Sequence, residues 1–135
     1  MPCPFFQPVL VAREPEHPGA RLPLIEEYEG VCRADSNSMP SAKEDRFRCN
    51  HGYSRSVCAH FPLSDPRSAH RFHVLKIEDG AIQILWVEER NYAPAKWESV
   101  QYSIATGSLT PKPADQCLEA QIIAFCCSYY RRFLT

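Results

Sequence analysis

The sequence predicts an α+β fold: a three- or four-stranded antiparallel sheet packed on a C-terminal helix, preceded by a Pro/Cys-rich, irregular N-terminal half. Three observations predict it. Two β-rich runs meet at Asp79-Gly80 in "RFHVLKIEDGAIQILWVEERNY". The closing stretch "DQCLEAQIIAFCCSYYRRF" repeats apolar residues at helical spacing. Most of the 12 prolines and four of the seven cysteines fall in the first 66 residues, where no periodicity is sustained. The length, 135 residues, suits one domain with one core. Its expected parts are a loop-rich half at 1–68 and a sheet-plus-helix half at 69–135.

Proline donates to neither a helix nor a sheet ladder, so irregular chain is expected through the first half and again around 94–113. Within the first half, "PLIEEYEGVC" reads as a short helix or turn ending near Gly30. Ser41 and Glu44 form an S-x-x-E capping box behind Pro40. It predicts a helix of about two turns from Ala42 that turns Phe47 inward and stops at Gly52. In the second half, Asp-Gly between two β-rich runs is a two-residue hairpin signal, since both turn positions need positive φ. "ESVQYSIATG" alternates, with Val100, Tyr102 and Ile104 on one face, and "SLTPKP" reads as an edge piece. Asp115 is placed to cap the terminal helix. Leu118, Ile122, Phe125/Cys126, Tyr129 and Phe133 form its apolar stripe, and Arg131 and Arg132 suit the negative end of its dipole.

Charge is balanced, 15 basic against 16 acidic residues, which excludes bulk electrostatic attraction to nucleic acid or membrane. The local excess is positive only over 43–73, with six Lys/Arg against three acids. No run approaches the ~20 apolar residues of a membrane span, and "MPCPFFQPVLVAREPEHP" lacks the basic start of a secretory signal. A reducing cytoplasm is therefore expected, where cysteines act as ligands, nucleophiles or core residues.

The seven cysteines divide in two. Cys117, Cys126 and Cys127 lie on the predicted helix, while Cys3, Cys32, Cys49 and Cys58 lie in loop-like chain or at element ends. Four thiolates suit a tetrahedral zinc or a cubane cluster. Structural zinc takes its ligands as close C-x2–4-C pairs, whereas these cysteines are separated by 28, 16 and 8 residues. Dispersed single cysteines meet the four corners of a [4Fe–4S] cluster more easily. Such a site would organise the irregular half of the chain. Arg33, Arg48 and Arg55 would offset its negative charge, and backbone N–H groups around Gly52–Ser56 would donate to sulfur. Pro4, Phe5, Phe6, Tyr53 and Phe61 would exclude water. His51 and His60 are flanking groups or substitutes for Cys3 as fourth ligand.

The expected function is a small iron–sulfur protein in electron transfer, redox sensing or a structural role, with an unspecified redox or regulatory protein partner and no membrane. The alternative is a zinc-stabilised module binding protein or nucleic acid, for which Arg46, Phe47, Arg48, Tyr53, Arg55 and Phe61 supply basic and aromatic groups. A third reading, a metal-free thiol enzyme, pairs Cys58 with His60 or Cys49 with His51. No oxyanion loop, phosphate-binding glycine loop or paired-carboxylate motif accompanies it. His70 and His73 read as a partly exposed strand end. Cys126 reads as core, and Cys117, in the first helical turn where the dipole would lower a thiol pKa, reads rather as a small packing residue.

Overall fold

A computed structural model describes residues 2–15, 22–34, 39–40, 46–52, 58–62 and 64–135. The fold is α+β, with two antiparallel sheets and a C-terminal helix. Strands β1 (Phe6–Val11), β2 (Tyr28–Cys32) and β3 (Met39–Pro40) form a three-stranded sheet in sequence order. A short helix α1 (Arg46–His51) follows. Strands β4 (Arg67–Glu78), β5 (Ala81–Arg90), β6 (Ala93–Ser103) and β7 (Leu109–Thr110) then form a four-stranded sheet, also in sequence order. Helix α2 (Gln116–Tyr129) ends in a π-helical turn at Tyr130–Leu134.

The Asp-Gly hairpin forms as the sequence predicts. Glu78 pairs with Ala81, and Asp79 and Gly80 take φ of 52° and 72°. A second two-residue turn joins β5 to β6 through Asn91 and Tyr92, at φ of 51° and 64°. Neither is glycine, so the local chain must be held in this left-handed geometry. The N–H of Asn91 donates to Pro66 O at 2.9 Å, and that of Tyr92 to Ser68 Oγ at 3.0 Å. Ile82, Ile84 and Trp86 on β5 and Val100 and Tyr102 on β6 alternate into one buried cluster. Leu118, Ile122, Phe125 and Cys126 of α2 join it, with Phe6, Leu24 and Tyr28 from the first half. Asp115 caps α2, accepting from the N–H groups of Cys117 and Leu118. The apolar stripe fades at its end. Tyr129 is half-buried and Phe133 is 63 % exposed, because the chain has left α-helical phase there. Arg131 and Arg132 both reach Glu26.

Proline misleads in three places. The first half is not uniformly irregular, and "PLIEEYEGVC" ends in a strand rather than a helix or turn. Pro8 sits at a register shift in the outer strand β1, opposite Gly30, and costs no ladder bond there. A Cβ on Gly30 would lie 2.1 Å from the Gln7 carbonyl oxygen, so only glycine lets β1 approach this closely. Pro94 lies inside β6, again at a shift, opposite Glu89. The proposed capping box at 41–44 lies outside the described residues. In α1 the inward side chains are Arg46 and Asn50, while Phe47 is half-buried and stacks on His51. Among the described residues, no helix is long and apolar enough to cross a membrane.

Candidate metal centre

Four separate segments carry Cys3, Cys32, Cys49 and Cys58 to one place. Cys3 precedes β1, Cys32 ends β2, Cys49 lies on α1, and Cys58 opens the turn that leads to Phe61. All four line a single small cavity. Phe5, Phe6, Phe61 and Ala34 line it as well, Arg48 and His60 border it, and the surface it presents is apolar.

Each segment is held by identifiable bonds. The N–H of Cys3 donates to Cys49 O at 3.0 Å, joining the chain before β1 to α1. Register pairs Phe6 with Cys32, so Cys32 lies beside the start of β1. Asn50, fully buried, accepts from Tyr28 N–H at 2.8 Å and donates to Tyr28 O at 3.0 Å and Arg46 O at 2.8 Å. Its amide thus takes the place of a neighbouring strand along β2, which fixes the next residue back, Cys49. Arg46 adds ion pairs to buried Glu27 and to Glu29, both at 3.2 Å. The Cys58 turn closes with Phe61 N–H on Cys58 O at 3.2 Å. The Phe61 ring packs edge-on against Phe5 at 5.3 Å. Arg67 lies over the Phe5 ring, 4.7 Å from its centroid, while holding Asp65 and the α2 cap Asp115.

The flanking groups named from sequence are placed less uniformly. Arg48 and His60 line the cavity. Arg33 is exposed, and its Nε donates to Gln7 Oε1 at 2.6 Å. His51 stacks on Phe47 at 4.9 Å and is not among the lining residues. Gly52 adopts φ of 84° and ends α1, but its N–H is bonded to Arg48 O, so it is not a donor to sulfur. Arg55 and Tyr53 lie outside the described residues. Among the described residues, no group of three or more His, Cys, Asp or Glu side chains is arranged to hold a metal ion as it stands. The seven cysteines form no disulfide.

The three helix cysteines belong to other surroundings. Cys126 is fully buried in the core cluster, and burial raises its pKa. Cys127 lies 3.3 Å from the Tyr102 hydroxyl. Cys117 is buried, in keeping with a packing role, and the dipole does not lower its pKa. Burial, and then the Asp115 carboxylate, push its thiol up to about 12. Desolvation of the thiolate outweighs a partial dipole charge.

Two polar residues of this region were not foreseen. His70, expected at a partly exposed strand end, is fully buried on β4. Its Nδ1 is 2.9 Å from Oε1 of Gln121, also fully buried. Gln121 donates in turn to Cys3 O and Phe6 O, both at 2.7 Å. The available signal was a glutamine at the centre of an apolar helix face, where polar groups need partners. His73 is exposed. Comparison with protein-family models found no match, and comparison with curated proteins and solved structures found no significant match either.

Proposed function

We propose that the chain is a small iron–sulfur protein holding one [4Fe–4S] cluster through Cys3, Cys32, Cys49 and Cys58. One observation carries the reading: these cysteines, spread over 56 positions of sequence, line one cavity, and the three helix cysteines do not. Four thiolates are the ligand number such a cluster takes. Four cysteines on four separate segments line one small apolar space beside Phe5, Phe6 and Phe61. A single zinc draws its thiolates to about 3.8 Å from one another, the edge of a tetrahedron with 2.3 Å bonds. A cubane takes one thiolate at each of four corners and holds them farther apart, which suits ligands carried singly on separate segments.

When bound, such a cluster supplies a one-electron couple. The four cysteines would hold it, and Phe5, Phe6 and Phe61 would exclude water from it. Four-cysteine ligation leaves no iron open to substrate, so electron transfer, redox sensing or organisation of the fold is the role this site supports. The redox or regulatory partner would be another protein, and the compartment a reducing one.

The test is anaerobic purification followed by iron, sulfide and zinc analysis of the wild type and seven single Cys→Ser variants. Iron and sulfide in stoichiometric amounts, with absorbance near the ~400 nm expected of a cluster, are the expected result. They should disappear for the four cavity cysteines and persist for Cys117, Cys126 and Cys127. A colourless protein with one zinc per chain would replace the cluster by a zinc module. A protein that takes up neither would remove the metal site.

A further inference from the structure

The backbone around Cys3 is gripped from behind by a buried polar chain. Gln121 uses both amide protons, one on Cys3 O and one on Phe6 O, each at 2.7 Å. That fixes its orientation, so Oε1 accepts from His70, and the His70 proton on this side is on Nδ1. The backbone N–H of His70 donates to Pro2 O at 3.4 Å. On the far side, His70 Nε2 lies 3.9 Å from Glu88 Oε1, longer than a hydrogen bond, and Glu88 Oε2 accepts from Arg90 at 2.9 Å.

Burying glutamine and histidine here is unfavourable unless they are paired, and leucine would fill an apolar face at lower cost. What the chain achieves is local. It fastens residues 2–6, a stretch with no regular element before β1, to α2 and β4. His60, the nitrogen that competes for the fourth position, is exposed in the turn after Cys58. Ordering irregular chain around a metal opposes binding. For Cys3, Gln121 has already done that ordering.

We propose that Gln121 is a positioning residue that selects Cys3 over His60 as the fourth ligand of the cysteine site. The inference rests on the metal-site reading and adds which residue decides the ligand set. A supporting shell of this kind commonly changes metal affinity about 10–100-fold when removed.

The full-length chain is reconstituted anaerobically with ferrous iron and sulfide, and loss of the cluster absorbance is timed in excess EDTA. In the wild type, Cys3→Ser should speed loss at least about tenfold and His60→Ala less than about twofold. Gln121→Met keeps the volume and removes the bonds. It should speed loss about 10–100-fold, and adding His60→Ala should then speed it further, because the imidazole has become a ligand. A merely structural role would lower thermal stability without creating any dependence on His60. Where Gln121→Met does not fold, His70→Asn should give a smaller acceleration of the same kind, and no acceleration overturns the proposal. A wild type in which His60→Ala matters and Cys3→Ser does not overturns it directly. So does a folded Gln121→Met protein that behaves as the wild type. A wild type that takes up no iron and sulfide overturns the metal reading and this inference together.

Discussion

Replacing Asn50 by alanine tests how helix α1 is fastened to strand β2. The substitution removes three hydrogen bonds, to Tyr28 N–H, Tyr28 O and Arg46 O. Each is worth about 0.5–1.5 kcal/mol net, and a buried group left unsatisfied costs about 1–3 kcal/mol. The helix carbonyl of Arg46 retains other means of satisfaction in a helix of six residues. The peptide groups of Tyr28, a buried residue, do not. The expected loss is therefore about 2–4 kcal/mol, a large fraction of the roughly 5–15 kcal/mol that stabilises a domain. The assay is urea unfolding followed by tryptophan fluorescence, with the midpoint and slope compared between Asn50→Ala and wild type. Because Asn50 also fixes Cys49, the variant should, on the proposed metal-site reading, lose metal faster as well. A loss below about 1 kcal/mol with an unchanged slope would show that α1 is not clamped through Asn50, and the account of how Cys49 is positioned would fall with it.

Gly30→Ala forces a methyl group to within 2.1 Å of a backbone oxygen on β1. It should destabilise by about 1–3 kcal/mol or more, read in the same unfolding assay. The Glu88 carboxyl is held below the ordinary 4.5 by the His70 ring 3.9 Å away, too far to hydrogen-bond, and by Arg90, which donates to it at 2.9 Å. A depressed folded-state pKa adds stability that is present above pH 4.5 and lost as pH falls toward 2. Glu88→Gln should remove this acid-labile component, on the order of 1 kcal/mol for a partly exposed ion pair with Arg90. Unfolding midpoints from pH 7 to 2 check it, and parallel curves for variant and wild type would refute the assignment. Cys117, pushed up to about 12 and buried, should resist iodoacetamide at pH 8 in the native metal-free protein while Cys58 is modified. Mass spectrometry of labelled peptides reads the difference, and equal labelling would refute it.

Local signals carried the second half of the fold. Asp79-Gly80 needed only its own backbone preference to mark a turn. Val100 and Tyr102 needed only period two to mark a buried face. Asp115 needed only the unsatisfied N–H groups of the next turn. The β1–β2 pair was hidden because proline is read as a local breaker, and whether Pro8 costs a ladder bond depends on register and on lying at a sheet edge. The turn at Asn91-Tyr92 was hidden for a related reason. Its left-handed residues are not glycines, and they are held by Pro66 and Ser68, which lie far away in sequence.

The candidate site divides in the same way. The sequence by itself determined the partition of the cysteines, because residue type and helical periodicity separate Cys117, Cys126 and Cys127 from the other four. Only the tertiary structure decided that the other four line one cavity. That depends on the antiparallel register setting Phe6 beside Cys32, on the Asn50 amide standing in for a strand, and on a bond between Cys3 N–H and Cys49 O. Each is a contact between residues at least 22 positions apart. Contacts of that range have no periodicity to announce them. The burial of His70 and Gln121 belongs with them, since a polar side chain becomes core only when the folded chain brings its partners to it.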